Sequence, residues 1–348
     1  MNNYITAELI MKRFNENGIK YSRIELSSGW FVIVCEYGGH IFGPFDSNKS
    51  DSIFWASRAF EDADEFAKMI ADRDWNLGGD RFWLEPELPF FIENREDFFG
   101  SYMVQESLDP GTYSMEEIDY GIKMSQSLKL KSFEKNSCLK EVYMQREIAP
   151  VKNPFVYKDL SHVDAFAFKE RLKIEDKGGA ENIYLEPWIL TQVNPCGKLI
   201  IPHVGNELDV VNYYEDIPES MIINGERYTW VDVTGNIRYK LGFKALQITG
   251  RSGFIGKMKD GRTYLIVKSF FNNPSNVYSG APNSNENQYG CSLFVYNDSG
   301  SQGGFAEYET CGTTISGDTG LKCAEDEIYY YFFVGDEEVI NKIAKKLL

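Results

Sequence analysis

The residues best suited to chemistry lie between Trp75 and Glu87, where Arg81, Trp83, Glu85 and Glu87 fall at every second position. Because successive side chains of an extended strand point to opposite faces, this spacing predicts a strand with all four on one face. An indole beside one cation and two carboxylates suits a ligand that offers apolar C–H patches and a ring of hydroxyl groups, as a sugar does. A solvated strand with an incidental ion pair between Arg81 and Glu85 fits the pattern equally well.

Two further segments carry candidate site residues at strand parity. Trp188, Gln192 and Asn194 would present an indole and two amides to one side of a strand, although core packing of Trp188 explains the same spacing. Glu307 and Glu309 share one face of another strand, and paired carboxylates can divide into an acid and a base when their environments separate their pKa values. Two solvated acids in an acidic protein give the same pattern.

A long loop at residues 272–288 is rich in Asn, Ser, Gly and Pro. Long ordered loops are often functional, so this segment is expected either to run over the surface or to cover a site. It carries Tyr278, which could reach the cavity that contains Glu307 and Glu309.

Histidine is scarce, since the chain contains only His40, His162 and His203. No two of them have helix or strand spacing, no Asp/His set suggests metal ligands, and no Gly-x-Ser-x-Gly nucleophile elbow occurs. The pair Gly38-Gly39 lacks the flanking strand and helix of a nucleotide fingerprint. We therefore expect no metal and no cofactor.

Charge and cysteine content limit the partners. Acidic residues outnumber basic ones by 52 to 36, giving a formal charge of −16, which disfavours nucleic acid and membrane partners but not a neutral small molecule. The six cysteines form no Cys-x-x-Cys pair, and the N-terminus has no basic region followed by an apolar run. These features predict a cytoplasmic protein with reduced thiols, a removed secretory signal being the alternative. They specify no oligomeric state.

The apolar periodicity predicts a mainly β protein with a few short helices. A helix is expected over residues 6–17, capped by Thr6 and ended by Gly18, another over 60–73 and a third over 336–348. The remainder alternates strand-like segments with turn dipeptides such as Asn-Gly and Asp-Gly, which favours an antiparallel sandwich or barrel over a parallel sheet. No compositional break divides the chain, so residues 1–348 are predicted to form one domain.

In combination, four segments resemble the galactose mutarotase-like superfamily, whose type members are the aldose 1-epimerases, and most closely an uncharacterised bacterial branch of it. In chain order they are Gly38-Gly-His-Ile-Phe-Gly-Pro44, Leu77-Gly-Gly-Asp-Arg-Phe-Trp-Leu-Glu-Pro-Glu87, Trp188-Ile-Leu-Thr-Gln-Val-Asn194 leading into Leu199-Ile-Ile-Pro202, and Ala306-Glu-Tyr-Glu-Thr310. The resemblance spans roughly residues 20–335. It implies a β-supersandwich of large antiparallel sheets with a concave face that holds a monosaccharide.

The resemblance also implies a chemistry. In a mutarotase, a glutamate removes the proton of the anomeric hydroxyl group and a histidine protonates the ring oxygen, so that the ring opens, the C1 bond rotates and the ring recloses as the other anomer. Glu307 or Glu309 matches the segment of the base, with Glu309 preferred. The segment that resembles the histidine strand contains no histidine, which leaves His203, shortly downstream, as the candidate acid. Arg81 stays protonated and is expected to bind the sugar rather than to donate a proton.

These inferences predict a carbohydrate-binding protein of mutarotase-like fold, with aldose 1-epimerase-like interconversion of sugar anomers or epimers as its activity. A noncatalytic sugar-binding or sensing protein is the first alternative, and a glycoside hydrolase or lyase that pairs Glu85 with Glu309 is the second. The expected substrate-binding residues are Arg81, Trp83, Glu85, Trp188, Gln192 and Tyr278, and the expected catalytic residues are Glu309, Glu307 and His203.

Overall fold

Two large antiparallel β-sheets form the framework of the protein. The computed structural model describes residues 4–134, 138–155, 162–205, 208–214, 216–234 and 236–348. In chain order the strands are β1 (Tyr21–Glu25), β2 (Phe31–Cys35), β3 (Ile41–Phe45), β4 (Asp80–Glu85), β5 (Ser114–Ile118), β6 (Gly121–Lys131), β7 (Leu139–Pro150), β8 (Asp164–Gly179), β9 (Tyr184–Val193), β10 (Gly197–Pro202), β11 (Val210–Asn212), β12 (Ile222–Asn224), β13 (Tyr228–Val233), β14 (Tyr239–Lys244), β15 (Arg251–Lys257), β16 (Thr263–Phe270), β17 (Cys291–Asn297), β18 (Ala306–Cys311), β19 (Ile315–Ser316) and β20 (Cys323–Gly335). The α-helices are α1 (Ala7–Glu16), α2 (Ala63–Ala71), α3 (Glu87–Phe91) and α4 (Glu337–Leu347), and the short 3₁₀ helices are Ser27–Gly29, Arg58–Glu61, Arg95–Asp97 and Glu219–Met221.

Each sheet contains ten strands within the described ranges. The first sheet has the order β1-β2-β3-β4-β9-β18-β17-β14-β11, with β19 beside β9. The second has the order β12-β13-β10-β15-β16-β20-β8-β7-β6-β5. Neighbouring strands run antiparallel in both sheets. The expected mainly β sandwich of large antiparallel sheets with few helices is therefore confirmed.

The main hydrophobic core lies between the two sheets, because alternate side chains of each sheet point toward the other. Phe82 and Leu84 of β4 belong to the same buried cluster as Phe168 of β8. Stacked aromatic rings run through this layer, with ring centroids 4.6 Å apart for Phe168 and Tyr330 and 5.1 Å apart for Phe166 and Phe332. Such ring pairs stabilise the sandwich beyond the area that they bury.

A charged cluster within this core ties the sheets together. Arg146 of β7 binds Asp80 of β4, with Nη2 and Oδ1 2.6 Å apart, and also pairs with Glu170 of β8. Tyr330 of β20 donates a hydrogen bond to Asp80 Oδ2 at 2.8 Å. Lys268 of β16 donates to the carbonyl oxygen of Tyr308 in β18 at 2.7 Å. These contacts fix β4 and β18 relative to the second sheet.

The helices cover the outer faces of the sheets. Helices α1 and α2 pack on the first sheet in one apolar cluster, and α4 packs on the second sheet. Helix α1 matches its prediction, with the Thr6 hydroxyl oxygen accepting from Leu9 N, and α4 matches as well. The helix expected over residues 60–73 begins only at Ala63, because Asp62 accepts hydrogen bonds from the first turn as its N-cap. No helix within the described segments is long and apolar enough to cross a membrane.

Candidate functional site

One face of the first sheet collects most of the polar residues singled out in the sequence. Asp80 contacts the second sheet, so its neighbour Arg81 points to the opposite face of β4. Antiparallel pairing places Arg81 beside Leu190 of β9 and Leu190 beside Glu309 of β18. The next pair along β4 and β9 is Trp83 with Trp188, and Gln192 pairs with Glu307. Strand alternation and register together bring these side chains to one surface.

This surface forms the floor of a cleft, which is covered by α3 and by loops. Its lining residues are Trp75, Arg81, Trp83, Glu87, Tyr102, Trp188, Tyr214, Arg238, Lys240, Tyr296, Gln302, Phe305, Glu307 and Glu309. The cavity volume of the cleft is about 30 Å³. That is enough for about two water molecules, so the cleft is narrow in this conformation.

Arg81 and Glu307 form a buried ion pair in the cleft. Arg81 Nη2 donates to Glu307 Oε1, and Gln192 Nε2 donates to the same oxygen at 3.3 Å. The guanidinium carbon of Arg81 lies 4.8 Å from the ring centroid of Trp75 and 4.3 Å from that of Trp83, in cation–π geometry. Burial raises the pKa of Glu307 to about 7, although Arg81 opposes the shift. Glu307 can therefore exchange a proton near neutral pH.

Lys240 of β14 is the second buried cation. Its Nζ lies 3.0 Å from Glu87 Oε2, 3.7 Å from Glu309 Oε2 and 3.8 Å from Glu85 Oε1. Although burial alone would lower it, the pKa of Lys240 is raised well above its usual value, chiefly by Glu309 and Glu87. Lys240 is therefore a permanent positive charge at the floor of the cleft.

Two of the three indole rings that line the cleft are fixed by carboxylates. Trp188 Nε1 donates to Glu309 Oε2 at 2.8 Å, and Trp83 Nε1 donates to Asp109 Oδ2 at 2.8 Å. Asp109 also contacts His40 Nε2 at 3.0 Å, and both of these side chains are fully buried. The rings meet edge to face, with centroids 5.8 Å apart. Their orientation is thus set by hydrogen bonds as well as by packing.

Two segments shape the rim of the cleft. Residues 298–304 form a turn around the buried Asp298, whose carboxylate accepts hydrogen bonds from the backbone N–H groups of Gln302 and Gly304. The segment 92–103 closes on itself through a bridge between Ile92 and Tyr102. The first segment carries Gln302 and leads into Phe305, and the second carries Tyr102, so each supplies lining side chains.

Several polar atoms near the floor have no hydrogen-bond partner within the described part of the chain. They include the acceptor Glu309 Oε1 and the donors Arg81 Nε and Nη1, all of which are buried. A buried polar group without a partner costs free energy, so such atoms mark positions where water or a ligand binds. The floor of the cleft therefore offers both an acceptor and donors.

The predicted site residues separate into three groups. Arg81, Trp83, Trp188, Glu307 and Glu309 line the cleft. Glu85 and Gln192 lie just behind the lining, where Glu85 approaches Lys240 and Gln192 binds Glu307. His203 and Tyr278 lie outside the lining.

Two expectations about position are corrected by the fold. His203, the expected acid, follows β10 of the second sheet, where its backbone pairs with Ile248 and Arg227, and its side chain does not line the cleft. Tyr278 is buried inside the 272–288 loop, where its hydroxyl group accepts from Asn273 N at 2.9 Å. That loop packs against its neighbours rather than presenting Tyr278 to Glu307 and Glu309.

The strand predicted through Glu87 ends at Glu85 instead. Pro86 has no N–H group to continue the ladder, and Glu87 begins α3. Glu87 nevertheless reaches the cleft, because α3 folds over the floor and places its carboxylate on Lys240.

Sequence reasoning missed several lining residues, above all Lys240, Tyr214 and Arg238. Lys240 could have been recognised from the sequence, because it lies between Tyr239 and Leu241 in an apolar strand segment. A lysine buried in such a segment requires a charged partner. Within the described residues, no group of three or more His, Cys, Asp and Glu side chains is arranged to hold a metal ion.

The chain belongs to a family of unknown function, DUF6786, whose profile matches residues 17–348. A search of curated proteins gives no match.

Solved structures with a similar fold cover most of the chain. A galactose mutarotase-like protein (CA_C0697) from Clostridium acetobutylicum is 9% identical with a TM-score of 0.45, over 90% of this chain and 98% of that one. YeaD from Salmonella typhimurium is 10% identical with a TM-score of 0.42, over 94% of this chain and 100% of that one. HI1317 is 9% identical with a TM-score of 0.42, over 90% of this chain and 92% of that one. The mutarotase-like resemblance expected from the sequence is confirmed as a resemblance.

Proposed function

We propose that the cleft binds a monosaccharide and that Glu309 accepts the proton of its anomeric hydroxyl group. The observation that carries this proposal is a buried acceptor, Glu309 Oε1, and buried donors, Arg81 Nε and Nη1, in one aromatic cleft, none of which has a hydrogen-bond partner among the residues that the structure describes. A hydroxyl group can donate to the first and accept from the second. The half-buried rings of Trp75, Tyr102 and Tyr214, which line the cleft, offer apolar surface to the C–H groups of the sugar.

Anomer exchange needs a base near the anomeric hydroxyl group and an acid near the ring oxygen. In the proposed reaction, Glu309 takes the hydroxyl proton while the acid protonates the ring oxygen. The ring opens to the aldehyde, the C1 bond rotates, and the reverse transfers close the other anomer. Glu307 replaces His203 as the proposed acid, since it lies two residues from Glu309 on the same face and its pKa is about 7.

The experiment is saturation-transfer NMR between the α and β anomers of D-glucose, D-galactose, D-mannose and D-xylose, with and without protein. We expect accelerated exchange for at least one sugar and a loss of about 10²-fold or more in Glu309→Gln. Glu325→Gln, which removes an exposed carboxylate from the second sheet, is the matched control and should exchange sugars at the wild-type rate. Unchanged exchange with every sugar that binds would rule out the catalytic part of the proposal.

A noncatalytic sugar-binding protein is the second candidate, because the described residues that line the cleft include no histidine to protonate the ring oxygen. For either candidate, a bound sugar would need rim side chains to move, because the cavity volume of the cleft is only about 30 Å³. This candidate predicts that a sugar raises the melting temperature and changes tryptophan fluorescence without accelerating anomer exchange. If no sugar of the panel does either, both candidates fail.

A further inference from the structure

Lys240 occupies a position where carboxylates from separate elements converge. Glu85 ends β4, Glu87 begins α3 and Glu309 lies in β18, and each has an oxygen within 4 Å of Lys240 Nζ. The Lys240 side chain is only 2% exposed, and the side chains of Glu85 and Glu309 are 1% exposed. Isolated buried charges are very unfavourable, so this lysine is the counter-ion that allows carboxylates to be buried here.

The same lysine also defines how Glu309 is held. Glu309 Oε2 accepts from Trp188 Nε1 at 2.8 Å and lies 3.7 Å from Lys240 Nζ, which itself lies 4.4 Å from the centroid of the Trp188 ring. Lys240, Trp188 and Oε2 therefore form one contact group. Both partners hold the same oxygen, which leaves Glu309 Oε1 without a partner among the described residues.

Several charged groups act on Glu309 from the elements packed around it. They are Lys240 from β14, Glu87 from α3, Glu85 and Arg81 from β4, Glu307 from β18 and Lys268 from β16. Burial raises the pKa of Glu309, and Lys240 opposes that shift more than any other group does. Glu87 also raises the pKa of Glu309, whereas Arg81 lowers it, as Lys240 does.

We propose that Lys240 is the positioning residue of the cleft, which keeps Glu309 ionised and leaves its second oxygen free for a ligand hydroxyl group. Lys240 does not itself transfer a proton in this assignment. The inference rests on the proposed function for the role of Glu309, but the charge state of Glu309 can be measured without any sugar. Failure of sugar binding and failure of this assignment are therefore distinguishable.

The test is a carboxyl ¹³C NMR titration of protein labelled at the glutamate side chains, with the Glu309 signal assigned by its loss in Glu309→Gln. In Lys240→Met we expect the titration midpoint of Glu309 to rise by about 1–3 pH units. Lys244→Met is the matched control, because it removes the same charge from a half-buried position of the same strand and should leave the midpoint unchanged. An unchanged Glu309 midpoint in folded Lys240→Met would overturn the assignment.

A second pair of variants covers the case in which Lys240→Met fails to fold. Glu87→Gln removes the carboxylate nearest to the lysine, so the double variant Lys240→Met/Glu87→Gln buries less uncompensated charge. The Glu309 midpoint should again be higher in the double variant than in Glu87→Gln alone. With any sugar whose anomers the protein exchanges, the acid limb of the pH profile should move upward by the same amount. If the lysine were purely structural, its substitution would lower the amount of folded protein but would change neither the Glu309 titration midpoint nor the acid limb of the pH profile.

Discussion

Trp83 and Asp109 form a direct link between the cleft and the buried interior, because the indole Nε1 donates to Asp109 Oδ2 at 2.8 Å. Asp109 is fully buried and also contacts His40, so one carboxylate fixes an aromatic wall of the cleft from behind. The wall cannot rotate without leaving a buried donor without its acceptor.

This link predicts a measurable coupling. Asp109→Ala should destabilise the protein by about 2–3 kcal/mol, because it leaves the indole N–H group without an acceptor. In a Trp83→Phe background the same substitution should cost about 1–2 kcal/mol less, since phenylalanine has no N–H group. Urea denaturation of the four proteins gives the coupling energy. Strict additivity would show that the hydrogen bond contributes nothing to stability.

The Arg81–Glu307 ion pair predicts that the loss of unfolding free energy on substituting either partner depends on pH. Removing one partner of a buried ion pair typically costs about 3–5 kcal/mol. Arg81→Met should show this loss at pH 8, but a smaller one at pH 5.5, because Glu307 has a pKa of about 7 and can become neutral. Glu307→Gln removes the titrating group itself, whose pKa is raised from 4.5 to about 7 in the folded state, so this variant should gain stability relative to the wild type between pH 5.5 and pH 8. Chemical denaturation at the two pH values tests this, and equal losses for Arg81→Met would contradict it.

The buried carboxyl group of Glu186 predicts how overall stability depends on pH. Burial raises its pKa from 4.5 to about 7, with Thr314 and Ser279 opposing the shift through hydrogen bonds. Between these values the folded state binds more protons than the unfolded state, so the free energy of unfolding falls as pH rises through this window. Across the whole window, one such group lowers the free energy of unfolding by about 3 kcal/mol.

Glu186→Gln should therefore unfold with a shallower pH dependence than the wild type between pH 5 and pH 8. It should gain stability relative to the wild type as the pH rises. Glu181→Gln, an exposed position close by in the chain, is the control and should keep the wild-type slope. Identical slopes for all three proteins would show that Glu186 does not titrate in this range.

The hydrogen bonds of Asp298 are expected to stabilise the turn at residues 298–304, which forms part of the rim of the cleft. Its carboxylate accepts from Gln302 N at 2.8 Å and from Gly304 N at 2.9 Å, and the turn that it organises carries Gln302 to the cleft. Asp298→Ala should cost about 2–4 kcal/mol and speed hydrogen exchange at residues 301–305. The exposed neighbour Ser299 offers the comparison, since Ser299→Ala should alter neither quantity. Slow exchange in Asp298→Ala would contradict this role.

Strand alternation explains why part of the site could be predicted. Parity within one strand determines which side chains share a face, so Arg81 with Trp83, and Glu307 with Glu309, could be grouped from local spacing alone. Register and strand order are nonlocal. That is why Lys240 was not predicted, although β14 lies only two strands from β18 in the first sheet. His203 was misplaced for the same reason, because no local pattern tells which sheet receives β10.

Local rules were also sufficient for most helices but not for the end of β4. The Thr6 cap and the apolar spacing of the last residues led to α1 and α4. The Asp62 cap, which delays α2, is a recognisable signal that was not used. The turn into α3 depends on Pro86 and on the packing of Glu87 against Lys240, which is a contact across 153 residues.

Chain separation across the cleft has a consequence for how the protein folds. Arg81 and Glu307 are 226 residues apart in the chain, and Trp188 and Glu309 are 121 apart. Long loops must therefore close before any of these contacts can form, which gives the cleft a high contact order and favours slow folding with late assembly of this region. A fragment that ends after β9 would contain Arg81, Trp83 and Trp188 without either Glu307 or Glu309. Any ligand of the cleft would thus recognise only the completed first sheet and would slow the unfolding of the whole sandwich.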